Sequence, residues 1–422
     1  MSTTLREKSG LRARTTARLG RFAPPGPSVD PSTLSPKRVA AATAALVLGG
    51  VAIGTTEFVT MGLLPDIASG IGVSIPTAGH LISAYAVGVV IGAPLFAVAG
   101  ARFARHKMLL ALVALFVVGN LASALFSSYE LLMAARLLAG LPHGAFFGLA
   151  ALVAMDMAQP GRAGRAIGRV MLGIPIANIA GVPLATWLGQ NFGWRTAFAL
   201  VGVLGVLTAI MVAVFVPHSH ADSTRTVRRE LGDFANTQVW LTLLIGAVGF
   251  GGMFAMYSYI APTVTEVTGL GAGSVPIFLL AYGIGGLIGT TLGGRLTDWS
   301  VMKTIIVGNV ATGLLLALFT VTSAHPVLAI ITLFAISVSI SLFVVGLQLR
   351  LMRAAGDART LGAASNHASL NLANALGAWL GGLVIAHGFG YTAPSWVGAG
   401  LCTLGLVVII ISVRLDRRNS AA

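Results

Sequence analysis

Runs of about twenty apolar residues, repeated along almost the whole chain, restrict this sequence more than any other feature. In hydrocarbon no water is available to the peptide group, so a segment of that length must satisfy its own backbone as a helix of roughly 20 residues. About twelve such segments can be read, near 39–63, 78–99, 108–126, 130–156, 166–189, 196–217, 238–261, 275–296, 304–323, 326–349, 363–386 and 395–413. Composition agrees: 56% of the 422 residues are hydrophobic and only 9% charged, against about 25% charged in an ordinary soluble domain. The expected class is an all-α membrane protein of twelve transmembrane helices.

The formal net charge of +14 raises the question of nucleic acid, and the distribution of the charge answers it. Of the 27 Lys and Arg residues, 25 fall on the N-terminal tail, the C-terminal tail and every second inter-span segment; the opposite loops hold only Arg195, and Arg136 is the single basic residue inside a span. Positive residues collect on the cytoplasmic side of membrane proteins. Both termini are therefore expected in the cytoplasm, in a multi-pass protein of the cell membrane, with no basic strip to follow a nucleic-acid backbone. Residues 1–38 lack an apolar signal core and read as a disordered basic cytoplasmic tail. The lone cysteine, Cys402, allows no internal disulfide.

The chain also repeats itself. A shift of 197 residues lays AYAVGVVIG (84–92) on AYGIGGLIG (281–289), Pro65 on Pro262, and Phe192-Gly193 on Phe389-Gly390. The expected organisation is a six-helix bundle over 39–217, a linker over 218–237, a second six-helix bundle over 238–414 and a short tail over 415–422. Paired halves with a site between them are a common build of secondary transporters. Stripes of small residues, such as Gly173, Ala177, Gly181, Ala185 and Gly189, let helices approach closely; on four corresponding helices they are expected to be seams along which the halves rock.

Several stretches, TTEF (55–58), RLLAGLPHG (136–144), IANIAGVPLATWLGQNFGWR (176–195), NLANALGAWLGGLVI (371–385) and GYTAPSWVGA (390–399), give the chain, over roughly residues 39–415, a resemblance to the major facilitator superfamily. Within it the chain is similar to twelve-span drug:proton antiporters close to bacterial chloramphenicol-efflux and arabinose-efflux-like permeases. The resemblance implies a gating latch in the loop motif, matched by Gly294 to Asp298 with Lys303; the first half has Ala97 and Ala101 at the corresponding Gly and Asp positions.

An ionisable group inside a span is a functional hypothesis by default. Glu57 lies about 18 residues along the first span, and Arg136 six residues into the fourth, which runs the other way, so the two sit at similar depth. We expect them to share the central cavity, where burial opposes the carboxylate's charge and the guanidinium favours it; a permanent ion pair with a packing role is the alternative. His143, seven residues after Arg136, is a third proton-coupling candidate, or else a donor to a carbonyl freed by Pro142. Tyr85, Asn178, Tyr257, Tyr282, Asn371 and Asn374 are candidate substrate-binding residues, with Phe146, Phe147 and Phe254 adding apolar surface. Asp66 and Glu266 are expected to be solvated at loop ends, and Asp156 to be exposed or associated with a gate.

No nucleophile and base pair or metal-ligand spacing is evident, so neither an enzyme nor a cofactor is expected. The expected function is proton-driven export, by alternating access, of small neutral amphipathic compounds such as chloramphenicol-like antibiotics; export of a sugar or purine nucleoside is the alternative. The partners expected are the substrate, protons and the lipid bilayer around a monomer, with the proton gradient as the energy source.

Overall fold

The computed structural model describes residues 34–100, 103–159, 162–218, 236–354 and 359–421. The expectations of a disordered tail over 1–38 and a linker over 218–237 therefore fall largely outside the described residues. Among those described there are helices and turns and no strand.

Among the described residues, eleven helices are long and apolar enough to cross a bilayer. One of them, Val275–Thr322, has 48 residues, about 72 Å at 1.5 Å per residue, or twice the roughly 30 Å hydrocarbon thickness. It is two crossings joined at Ser300, whose extended backbone (φ −163°, ψ 112°) is its one non-helical position. The chain thus makes twelve crossings: spans 1 to 7 are Pro36–Gly62, Ile75–Phe96, Arg105–Leu125, Tyr129–Asp156, Arg165–Phe192, Arg195–Phe215 and Thr237–Tyr257. Spans 8 and 9 are 275–299 and 301–322, and spans 10 to 12 are Pro326–Ala354, Ser365–Ala386 and Ala393–Asp416. The sequence placed a seven-residue loop at 297–303 where the backbone needs one residue. An even number of crossings leaves Pro36 and Asp416 at the same end of the bundle, the terminal end.

Local chemistry explains the starts and breaks. The Ser35 side chain accepts from Arg38 N with Pro36 in the first turn, Ser128 accepts from Leu131 N, and Asn236 accepts from Gln238 N; each cap satisfies a donor that the helix leaves orphaned. Span 4 breaks at Leu141-Pro142, where proline cannot continue the hydrogen-bond ladder. Span 5 carries a π-turn over Ala177–Gly181. After span 1 the chain forms a short helix, Leu64–Ile71, outside the spans. Its Asp66 is half-buried, not solvated, and burial pushes its carboxyl above the usual carboxylate range.

The 197-residue repeat is present in the backbone itself. Of the five glycines with positive φ, Gly72 (69°) pairs with Gly269 (73°) and Gly193 (90°) with Gly390 (77°) at that shift. Packing repeats as well. A Cβ on Gly88 or Gly92 would collide with the carbonyl oxygens of Leu137 and Leu141, and one on Gly285 or Gly289 with those of Phe334 and Val338, 197 residues on. Gly140 rests on the Tyr85 carbonyl, and at its counterpart Ser337 donates a 2.6 Å hydrogen bond to the Tyr282 carbonyl. Span 10 therefore runs parallel to span 8. It runs antiparallel to span 9, with Gly308 against Phe343 and Gly346 against Ile305, so spans 8 and 9 point in opposite directions.

These contacts correct the expected role of the small-residue stripes. Gly173, Gly181 and Gly189 pack on Gly50, Thr55 and Leu63 of span 1, and the stripes of spans 2 and 8 pack on spans 4 and 10. In span 11, the Ala378 carbonyl accepts the Tyr259 hydroxyl at 2.8 Å, just beyond span 7. In spans 2, 5 and 8 they are close-approach seams inside each half, where small residues are needed because lipid supplies no hydrophobic drive between helices; in span 11 Gly382 also approaches the Pro76 carbonyl of the first half. The halves meet through further residues as well. Ser83 Oγ of span 2 donates to Ala375 O of span 11 at 3.1 Å, and Gln190 Nε2 of span 5 donates to Ala272 O before span 8 at 2.9 Å. Gly283 lies on the Asn178 backbone, and a large apolar cluster joins Phe58, Met61, Ala78 and Ile82 to Phe254, Tyr257 and Phe278.

Candidate functional site

The centre of the bundle holds one buried polar constellation, and it is built around the TTEF stretch of span 1, whose four residues are all buried. Arg136 of span 4 is fully buried and spends its guanidinium on Thr56. Nη1 donates to Thr56 Oγ1 at 2.8 Å and Nη2 to Thr56 O at 2.9 Å. Thr56 in turn donates to Asn120 Oδ1 of span 3 at 2.5 Å, and Asn120 Nδ2 bonds the Phe116 carbonyl. The Tyr85 ring of span 2 lies 4.5 Å from the guanidinium carbon and the Phe198 ring of span 6 lies 5.2 Å from it, both within cation–π range. Spans 1, 2 and 6 thus clamp Arg136 directly, and span 3 does so through Thr56.

Glu57 is the next residue after Arg136's anchor. It is 6% exposed. Among the described residues no ion pair joins it to Arg136 in this arrangement; the guanidinium acts on the carboxyl through space. The polar group adjacent to the carboxyl belongs to the other half: Asn374 of span 11, fully buried, whose amide oxygen and nitrogen have no hydrogen-bond partner among the described residues. Tyr85 and Tyr282 also feel its charge, one from each half. Under the 197-residue shift, Thr56, Glu57 and Arg136 map onto Met253, Phe254 and Leu333. The symmetric scaffold carries its charge on one copy only.

His143 is 1% exposed and shares a 3.0 Å hydrogen bond with the Tyr85 hydroxyl through Nδ1. That contact replaces the expected donation to a carbonyl freed by Pro142. Its Nε2 has no partner, and its ring lies 5.8 Å from the ring of His367 on span 11. His367 also stacks on Phe147 at 5.4 Å with the rings 5° from parallel. The sequence reading passed over His367, although an ionisable residue just inside a span was itself the signal.

The candidate binding residues divide. Tyr257 and Tyr282 stack at 4.1 Å, and Phe58 meets Phe254 at 6.2 Å and Tyr257 at 6.1 Å across the junction of the halves. The Tyr282 hydroxyl donates to Met253 Sδ at 3.2 Å. Asn371 Nδ2 caps the His367 carbonyl at 3.0 Å and leaves Oδ1 unpaired. These residues gather with Glu57, Asn374 and Tyr85. Asn178 sits apart, in the π-turn of span 5 against span 8, its Oδ1 unpaired. Phe146 points into the first bundle, between Gly49 and Phe147, and adds nothing to the junction.

At the terminal end, Asp298 is exposed with no polar partner among the described residues, and Lys303 lies 4.3 Å over the Trp299 ring. Among the described residues Asp298 and Lys303 make no latch in this arrangement, and the first-half position Ala101 lies outside them. Polar ties there come from residues the motif did not indicate. Arg105 at the start of span 3 forms a salt bridge with Asp156 at the end of span 4. Arg350 of span 10 bonds Gln238 Oε1 (2.9 Å), Ser412 Oγ (2.7 Å) and Thr242 Oγ1 (3.3 Å), linking spans 7, 10 and 12.

Comparison with known proteins agrees with this architecture. The chain is 41% identical over 377 residues to the inner membrane transport protein YdhP of Escherichia coli O157:H7, covering 88% of this chain and 95% of that one. It is 31% identical over 369 residues to the chloramphenicol resistance protein of Streptomyces lividans, covering 86% and 94%. The crystal structure of a D-xylose-proton symporter superposes with a TM-score of 0.73 at 16% identity, covering 88% of this chain and 97% of that one, a likeness of fold. The model of the Major Facilitator Superfamily matches residues 46–366. Twelve crossings in two repeated halves, one buried charge cluster where they meet and this match have one reading: the chain is a multi-pass membrane transporter of the Major Facilitator Superfamily.

Proposed function

We propose that this transporter is a proton-coupled exporter of small neutral amphipathic compounds, of the kind represented by chloramphenicol, working by alternating access in the cell membrane with both termini in the cytoplasm. The observation that carries the proposal is the position of Glu57. Its carboxyl stands at the junction of the halves, between the clamped Arg136 of its own half and the unsatisfied Asn374 amide of the other. A carboxyl there is stabilised by Arg136 when charged, and by desolvation when neutral. Its preferred state therefore changes when the halves part and water reaches it, which is what links a proton to a conformational cycle.

Three further features support the reading. The positive residues favour a cytoplasmic terminal end. The Tyr257–Tyr282 and Phe58–Phe254 stacks offer flat apolar surface beside a few polar atoms, which suits a neutral ring-bearing molecule. The similarity to a chloramphenicol resistance protein agrees with export of such a compound. One observation favours the second reading, a sugar or purine nucleoside: the unpaired Asn371 and Asn374 amide atoms would be satisfied by hydroxyl groups.

The test is proton movement in proteoliposomes carrying an imposed pH gradient and challenged in turn with chloramphenicol, arabinose and purine nucleosides. The leading reading expects chloramphenicol to dissipate the gradient. A response to arabinose or nucleosides alone would transfer the assignment to the second reading, and no response to any, with unchanged drug tolerance of an expressing host, would reject both.

A further inference from the structure

At the terminal end of the first half, spans 1, 4 and 5 enclose a cavity of about 580 Å³ that has nothing to do with the central cluster. Its walls are apolar, including Val39, Ala44 and Val47 of span 1 and Met157 after span 4. Its mouth carries three cations, Arg162, Arg165 and Arg169, and among the described residues no acidic one lines it. The three stand at i, i+3 and i+7, hence on one face of the helix Ala163–Met171 and its preceding residue. All are exposed, and none has an ion pair or side-chain hydrogen bond among the described residues. Asp156, the nearest acid along the chain, is engaged by Arg105.

Three like charges on successive turns repel one another unless an anion joins them. The size and lining narrow the choice of anion. The cavity is in the range of small-molecule sites and its walls are too apolar for a free ion. The arginine face also continues along span 5 as exposed Leu172 and Ile176, an apolar track for acyl chains directly below a cationic headgroup pocket. Span 5 leans on span 8 from Gly173 onward, and that contact thins towards the helix bearing the arginines, so span 8 does not cover the arginine face. Basic pockets between helices at a membrane surface hold phosphate headgroups, and guanidinium forks match phosphate geometry.

We propose that this crevice is a binding site for an anionic phospholipid of the leaflet at the terminal end, with Arg162, Arg165 and Arg169 on the headgroup phosphate and the acyl chains along Leu172 and Ile176. The site requires only that the chain spans a membrane and stands whether or not the transport reading does. The experiment uses the full-length protein in detergent, with phosphatidylglycerol retention measured by native mass spectrometry against phosphatidylcholine. The triple variant R162Q/R165Q/R169Q is expected to lose about 100-fold in phosphatidylglycerol affinity, each surface cation contributing roughly fivefold, with phosphatidylcholine retention unchanged. R162K/R165K/R169K is expected to keep most of the affinity, and equal melting temperatures for the three proteins would separate loss of binding from loss of fold. Displacement of phosphatidylglycerol by millimolar inorganic phosphate or glycerol phosphate would make this a soluble-anion site and overturn the lipid assignment. Equal retention of the two lipids, or no change in the Gln variant, would overturn the site itself.

Discussion

Replacing Glu57 by Gln removes one titratable proton from the centre and keeps the side chain's size and its place beside Asn374. Glu57 and Asp156 are the two buried acids among the described residues, and Asp156 is held by Arg105 at the terminal end. The structure therefore offers one carboxyl at the junction of the halves. Exchange of one proton for one neutral molecule moves one charge per cycle, and 100 mV acting on it supplies about 2.3 kcal/mol. At about 1.4 kcal/mol per decade that is roughly fortyfold accumulation with no pH gradient present. The assay is uptake of labelled substrate into inverted proteoliposomes with a potassium diffusion potential imposed by valinomycin. Wild type is expected to approach fortyfold at 100 mV and to lose it when the potential is dissipated. E57Q is expected to equilibrate to a ratio of one at any potential while still exchanging labelled for unlabelled substrate, because the rocking halves are intact. Potential-driven accumulation by E57Q would refute the argument. Accumulation by wild type near the square of fortyfold would mean a second proton per cycle, for which the His143–His367 pair is the candidate carrier.

Further predictions address stability and gating. G88L and its repeat partner G285L should each lower stability by about 1–3 kcal/mol or more, read as a lower melting temperature in detergent, whereas G148A, where a Cβ meets nothing within 4 Å, should be neutral or better. D156N should loosen spans 3 and 4 at the terminal end and raise labelling of a cysteine placed there; the exchange R105D/D156R should restore wild-type labelling if the salt bridge is the cause. For Asp66, burial raises the folded carboxyl's pKa above its unfolded value, so the folded state holds more protons and stability falls as pH rises through that window. The melting temperature of D66N relative to wild type should therefore rise as pH increases from 4 to 8, and a constant difference would show that the carboxyl stays neutral or stays exposed throughout.

How much of this was legible in the sequence depended on whether the information was periodic. Twelve apolar runs and a 197-residue self-match led to the all-helical repeated fold, because both report constraints that act along the chain. The turn between spans 8 and 9 was bracketed to 297–303 but not narrowed to a single residue, since Trp299 and Ser300 resemble any interfacial residues and one extended residue leaves no compositional trace. The small-residue stripes were visible, yet their partners were not: a stripe reports that a neighbour is close without saying which helix it belongs to. Glu57, Arg136 and Asn374 stood out as polar groups in apolar runs, but only the fold shows Arg136 committed to Thr56 and Asn374 reaching Glu57 from the opposite half. Arg105 and Asp156 are 51 residues apart at the ends of two spans, and His367 meets His143 from another half; pairings of that range lie outside any local pattern.

The two halves share a mechanical plan down to which carbonyl each glycine rests upon, while Phe254 and Leu333 hold the places that Glu57 and Arg136 hold in the first. One half carries the buried charge and the other repeats the same frame without it. Transplanting the wiring, with M253T, F254E and L333R set into a chain whose own acid has been neutralised, would ask whether the direction in which a proton drives the machine is a property of the scaffold or merely of the side on which it was installed.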